Sequence, residues 1–397
     1  MVAVNRDWLF SKIITTIPKV IIAGYVINFL IKLVFNLPNG PLEKNDFLDF
    51  WVASSLTLGG EPAAVYETTQ FNAALAKVAG HEYPAPWFYP PTCLLLISPL
   101  ALLPYYASLA SWLSLTLGGY LLVVRRIAPH PTAVWLALAF PGALMNLNYG
   151  QNGLFSSALF GGGLLLLNSF PVLAGIVLGM LSYKPNFFVL IPVALLAGRY
   201  WRALGSTILS AILLALASGL ILGWNTWEAF WHIRHIPIQA MEHGLAALQA
   251  MPTIFAVTRS VGGSSLAAYA LQGIVMAASV SAVVWVWFRK SPMAIRVSVL
   301  TLGSLLFTPF GYEYEFARLA IPLAWIGWEG YQKGWLPREK IFLLMGWLTP
   351  FISRILADAK VVQLTPFILM GLLYLNLRSP RLSPLGAGPV DSPGPSD

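Results

Sequence analysis

The sequence predicts an all-α integral membrane protein with about twelve transmembrane helices, and three observations predict it. Of the 397 residues, 57% are hydrophobic and only 10% charged, whereas soluble domains carry about a quarter of their residues as Asp, Glu, Lys or Arg. Apolar stretches recur from Ser11 to Leu377, separated by short segments that hold nearly all the charge. The basic residues collect at alternate ends of these stretches, which is the signature of membrane topology.

The net charge of +8 does not point to nucleic acid, because the lysines and arginines share no face and read as topology signals. The single cysteine, Cys93, excludes an intrachain disulfide and any cysteine-based zinc or haem motif. No small-residue cleavage site follows the first apolar stretch, so that stretch is expected to be a retained helix.

Each element follows in turn. Ser11 to Phe35 is long enough to cross about 30 Å of hydrocarbon, and its basic flank favours a cytoplasmic start. A long outer loop, 36–105, holds Glu43, Asp46, Asp49, Glu61, Glu67 and Glu82. Inside it, Phe47, Phe50, Trp51, Ser54 and Leu58 recur at helical spacing, which predicts a helix lying in the membrane interface with Asp46 at its start. Thr92 to Leu103 is too short to span and is expected to re-enter or lie at the interface. Trp87, Phe88 and Tyr89 suit the aromatic belt.

Further spans are expected at 107–124, 133–145, 154–167, 172–181, 187–197, 204–222, 265–288, 297–307 and 317–330, with two more before Leu377. A second outer loop covers 223–264. Residues 1–378 thus form one polytopic domain, followed by a Pro-, Gly- and Ser-rich tail, 379–397, expected to be disordered in the cytoplasm. Charge agrees with this layout: Arg125, Arg126, Arg199, Arg202, Arg289, Lys290, Arg296, Arg338, Lys340, Arg378 and Arg381 fall inside, while Asp46, Asp49, Glu228, Glu242, Glu313, Glu315 and Asp358 fall outside.

Four polar clusters land together on the outer side: Asp46 with Asp49, Gln151 with Asn152, Lys184, and Tyr312 to Glu315. Charged groups near hydrocarbon are costly and usually line a site or a pathway, so this convergence predicts a pocket for a polar or phosphorylated ligand. Asp46 suits either an N-cap, as Asp often does, or a general base beside a bound hydroxyl; Asp49 lies on the same helix face and could share that role. Lys184 is a lone cation on the side where the charge rule disfavours it, and a phosphate-binding point charge explains it better than snorkelling. Arg259 is a second outer cation, either structural or reaching the same anion. His232, His235 and His243 lack a third clustered ligand, so no metal site is expected. No nucleotide-binding glycine loop and no GxSxG motif occurs, which excludes nucleotide-driven pumps and serine hydrolases.

The ordered set Asp46-Phe47, Phe50-Trp51, Gly59 to Tyr66, Tyr89-Pro90-Pro91, Pro99-Leu100, Leu103-Pro104, Gly150-Gln151-Asn152 and Lys184-Pro185 resembles glycosyltransferase family 87. The similarity extends through Gly244, Met251-Pro252, Phe255 with Arg259, and Thr308-Pro309 with Tyr314-Glu315. It departs at Glu315, where Asp is common, and at Phe310-Gly311, where some members carry His. The resemblance implies a GT-C-like helical bundle in the cell inner membrane, with its active site facing the periplasm or exterior. It implies transfer of a sugar, mannose in the relatives, from a polyprenyl-phosphate sugar donor to a lipid or glycan acceptor. Asp46 would then be the base, with Lys184, Gln151, Asn152, Arg259, Tyr89, Tyr314 and Glu315 contacting substrate, and no metal or other cofactor. A transporter or lipid flippase with membrane-embedded carboxylates is the alternative from another class, and the lack of an inverted repeat of motifs argues against it.

The layout is checked with reporter fusions. Fusions after Arg126, Arg202 or Lys290 should report the cytoplasm and a fusion between Glu61 and Glu82 the outer side; an external Arg202 would dismantle the common face.

Overall fold

Residues 16–27, 45–82 and 85–382 are described in a computed structural model. Their regular structure is helical. Helix α1 is Thr16–Ile27. The first loop region contributes α2 (Phe47–Leu58), α3 (Thr68–Ala79) and α4 (Pro91–Ile97), with short 3-10 turns at Pro62–Tyr66 and Ser98–Leu102. Then come α5 (Tyr105–Ile127), α6 (Pro131–Leu138), α7 (Pro141–Tyr149), α8 (Gly153–Leu166), α9 (Pro171–Gly179), α10 (Pro185–Phe188), α11 (Leu190–Ala197) and α12 (Trp201–Leu222). The second loop region contributes α13 (Trp224–Ile233), α14 (Ile236–Glu242) and α15 (Ile254–Ser260). The chain closes with α16 (Ser265–Phe288), α17 (Met293–Phe307), α18 (Ala320–Lys333), α19 (Glu339–Asp358) and α20 (Thr365–Leu377).

Four of these, α5, α12, α16 and α19, are long and apolar enough to cross a membrane. The remaining apolar helices are shorter, between 10 and 17 residues, so the expected count of about twelve crossings rests on them and not on length. Proline explains much of the shortening. Pro91, Pro131, Pro141, Pro171 and Pro185 each sit in the first turn of a helix, where a missing N–H costs nothing but where no preceding helix can continue. The single span expected over 133–145 is therefore two helices, α6 and α7, meeting at Ala139 and Phe140.

Burial sorts the helices into a centre and a rim. In α17 every residue from Ala294 to Leu306 is buried, as befits a helix surrounded by others. In α12, by contrast, Ile208, Leu209, Ile212, Leu213, Leu216 and Leu220 are all exposed, which leaves a broad apolar face for lipid.

The two loop regions are packed against each other and form a layer over one end of the bundle. Tyr66 meets Phe230 edge-on with ring centroids 5.8 Å apart, and Gln363 Nε2 donates to the Gln249 carbonyl at 2.7 Å. Helix α2 forms where expected but is covered by protein: Phe47, Leu48 and Ala53 have no exposed surface. Ser54 Oγ donates to the Ile97 carbonyl (2.8 Å) and Trp51 Nε1 to that of Leu103 (3.1 Å), fastening α2 to the segment 91–103. A small second core of Met241, Met251, Phe255, Ala256 and Ala268 supports the second loop.

At the other end the residues expected inside also meet. Arg296 Nη1 donates to the Tyr200 hydroxyl (2.7 Å), which donates to Asn168 Oδ1 (3.2 Å). Within the stretch expected as a tail, Pro380–Leu382 form a 3-10 turn and Arg381 is held by Glu339 at 3.0 Å. The rest of that tail, and the parts of the first span and first loop at 11–15 and 28–44, lie outside the described residues.

Candidate active site

The turn Gly150-Gln151-Asn152-Gly153 organises the site. Helix α7 ends at Tyr149, and Gly150 reverses the chain in the left-handed region at φ +67°, which favours glycine. Space requires glycine as well: a Cβ there would stand 2.5 Å from Phe47 Cβ and 2.6 Å from Asn45 Oδ1. The Gly150 carbonyl accepts from Trp112 Nε1 at 3.1 Å. At the far end of the turn, buried Asn146 accepts from the Gly153 N–H (2.7 Å) and donates to the Tyr314 carbonyl (2.8 Å). The turn is thereby bolted to α2 on one side and to the segment 312–319 on the other.

From this turn two amide side chains point to two different charges. Gln151 Nε2 donates to Asp46 Oδ2 at 2.7 Å. Asp46 does not use its side chain as a cap; the Phe47 N–H instead donates to Asn45 Oδ1 at 3.0 Å. Burial pushes the Asp46 carboxyl above its ordinary value, and the Gln151 hydrogen bond opposes this. Asp49, one turn on, is pushed well above it by burial and by the nearby Asp46 charge, and its buried Oδ1 has no hydrogen-bond partner among the described residues.

Asn152 faces the other way. Its Nδ2 donates to the Tyr89 hydroxyl (2.9 Å) and its Oδ1 accepts from Lys184 Nζ (2.7 Å). Lys184 follows the 3-10 turn Met180–Tyr183 and precedes Pro185, whose ring prevents α9 and α10 from merging into one helix. The ammonium sits 5.8 Å from the Tyr89 ring centroid and 5.3 Å from that of Tyr314, within cation–π range. It is ion-paired with Glu315, and the same carboxylate is ion-paired with Arg318. All three groups are buried. Arg318 is also stacked on Phe187, 3.5 Å from the ring centroid.

Lys184 is thus not the lone cation its sequence context suggests. Arg318 escapes the sequence reading because it lies in the first turns of an apolar run, yet the argument that singles out Lys184, a cation on the acidic side, applies to it equally. The triad of Lys184, Glu315 and Arg318 carries one net positive charge. Arg259 belongs elsewhere: its guanidinium donates to the carbonyls of Gly263 and Glu242, both at 2.7 Å, and makes no hydrogen bond or ion pair with the triad. The loop histidines are spread out, His232 lying 3.9 Å from Glu228 on the surface, and no group of three or more His, Cys, Asp or Glu among the described residues could hold a metal ion.

A second ionic group stands beside this one. Arg354 binds Glu313 at 2.8 Å and Asp358 at 2.6 Å and lies over the Tyr149 ring. Tyr312 and Tyr314 stack 5.8 Å apart.

A multi-helix membrane bundle with buried carboxylates, amides and cations gathered under an outer layer is the class that these features define. The sequence profile of Glycosyltransferase family 87 matches residues 87–309, more than half of the chain. The protein belongs to this family and is a membrane glycosyltransferase. The matched region contains Tyr89, Gln151, Asn152, Lys184 and Arg259, while Asp46, Asp49, Tyr314, Glu315 and Arg318 flank it. No curated protein and no solved structure matches the chain.

The triad predicts an order of damage. Glu315→Gln leaves two buried cations facing each other and should cost about 3–5 kcal/mol, the usual result of removing one side of a buried ion pair. Lys184→Met leaves a neutral Glu315–Arg318 pair and should cost clearly less. Thermal unfolding in detergent measures both; a Lys184→Met variant as unstable as Glu315→Gln would show that the carboxylate depends on Lys184 alone.

Proposed function

We propose that the protein transfers a hexose, mannose on the family resemblance, from a polyprenyl-phosphate donor to a hydroxyl of a lipid or glycan acceptor. The reaction is placed on the extracytoplasmic face of the inner membrane, with Asp46 as general base. One observation carries this reading: Gln151 and Asn152, adjacent in one turn, hold a carboxylate and a cation at 2.7 Å each. A displacement at an anomeric carbon needs a proton acceptor on the attacking side and positive charge at the departing phosphate, and these two ends supply them.

In this reading the acceptor oxygen bonds to the anomeric carbon as the bond from that carbon to the donor phosphate oxygen breaks. The acceptor proton goes to Asp46, and polyprenyl phosphate leaves. The donor phosphodiester bears one negative charge, which balances the single net positive charge of Lys184, Glu315 and Arg318. Charge on the phosphate grows as the bond breaks, so the two cations bind the transition state more strongly than the ground state, which is the condition for catalysis. Tyr89 and Tyr314 wall the cation, and Asn152 offers the sugar hydroxyls an amide. Asp49 is the reserve carboxylate.

Purified, reconstituted protein given labelled polyprenyl-phosphate mannose should release polyprenyl phosphate, which a transporter would not do. Asp46→Asn keeps the shape and can still accept from Gln151, so folding and donor binding should persist while turnover falls about 100- to 10,000-fold. An active Asp46→Asn variant would move the base to Asp49. Protonation of Asp46 removes the base, so activity should fall with decreasing pH at values above the ordinary Asp value of about 3.9, in line with its upward shift.

Lys184→Met should weaken donor affinity by about 10- to 100-fold, the worth of a charged hydrogen bond of about 1.5–3 kcal/mol. Unchanged affinity in a folded variant would return Lys184 to a structural role.

A further inference from the structure

At the end of the bundle opposite Asp46, the ends of α19 and α20 and the flanks of α17 and α18 border a cleft of about 180 Å³ that is open to solvent. Its lining is divided. Ile295, Phe342 and Leu375 make an apolar interior, and Arg338, Arg378 and Asn376 stand among them. Positive charge at this end of a membrane helix is ordinary topology, and so the question is whether these two arginines are balanced.

Among the described residues neither is paired with a carboxylate. Glu339 also lines the cleft, but its carboxylate is taken by Arg381, which also donates to the Gly334 carbonyl at 2.9 Å. Glu329 lies 3.9 Å from both Lys333 and Arg381. Arg338 and Arg378 make no ion pair among the described residues; Arg378 lies 5.6 Å from the Tyr374 ring centroid. Arg338 is held with φ +71°, a left-handed conformation unusual for a residue with a side chain. Asn376 is buried, with its Nδ2 committed to the Leu372 carbonyl at 2.9 Å.

From this we infer a second binding site, separate from the transfer site, that takes an anionic phospholipid: its phosphate between Arg338 and Arg378 and an acyl chain along Ile295, Phe342 and Leu375. A free phosphate would match the guanidinium groups but leave the apolar interior unused, whereas an anionic lipid uses both. Basic pockets between membrane helices are known to take such headgroups. The site needs no contribution from Asp46 or Lys184, and its occupant stabilises the folded bundle by mass action.

The test uses the full chain, delipidated in neutral detergent, with unfolding midpoint and lipid retention in native mass spectrometry as readouts. Added phosphatidylglycerol should raise the midpoint by about 3 °C or more and persist as one bound lipid, while phosphatidylcholine and inorganic phosphate should do neither. The R338A/R378A variant, altered only at exposed positions, should lose the response, and R338K/R378K should retain part of it. An equal response to phosphatidylcholine, an equal response to inorganic phosphate, or a full response in R338A/R378A would each overturn the proposal.

Discussion

A carboxylate buried between two cations sets the terms for the rest of the structure. Ionised groups away from water persist only when charge meets charge and the remaining hydrogen-bonding capacity is used. Glu315 satisfies Lys184 and Arg318 at once, and Asn152, Phe187 and the rings of Tyr89 and Tyr314 complete the surroundings. Those groups come from the first loop, from the turn between α7 and α8, from the break before α10 and α10 itself, and from the segment after α17. Bringing them together determines how the helices can pack, and leaves one positive charge over for a ligand.

The base side is coupled to the cation side through four residues of backbone. Gly150 lets α2 approach, Gly153 lets Asn146 and Tyr314 approach, and the two amides lie between these contacts. The distance from carboxylate to cation is therefore a property of a turn, which is stiffer than one set by two independent loops.

Much of this was readable in advance, and the failures have physical causes. The apolar runs and charge asymmetry announced the bundle, and Asp46, Gln151, Asn152, Lys184, Tyr89, Tyr314 and Glu315 do come together. Arg259, which the sequence leaves as either structural or reaching the same anion, donates both terminal nitrogens to loop carbonyls, a fact that depends on how 242 and 263 fold back. Asn45 and Asp46 are equally good capping residues by type; in the folded chain Asn45 accepts from the Phe47 N–H and Asp46 accepts from Gln151, a choice set by long-range contacts. The continuous span over 133–145 ignored that Pro141 favours a helix start over a helix interior. Periodicity says which residues are apolar, and cannot say that α17 is buried all round while α12 faces lipid.

The hydrogen bond from Asn146 to the Tyr314 carbonyl joins residues 168 positions apart. Translation proceeds at about 5–20 residues per second, so this partner emerges on the order of ten seconds after Asn146 does, and Glu315 follows Lys184 with a similar delay. During that interval the Lys184 ammonium lacks its carboxylate, while Asn146, Gln151 and Asn152 already have partners in the first half of the chain. The early helices therefore assemble around a polar turn that is satisfied in its amides and still awaits the last third of the chain for its charge.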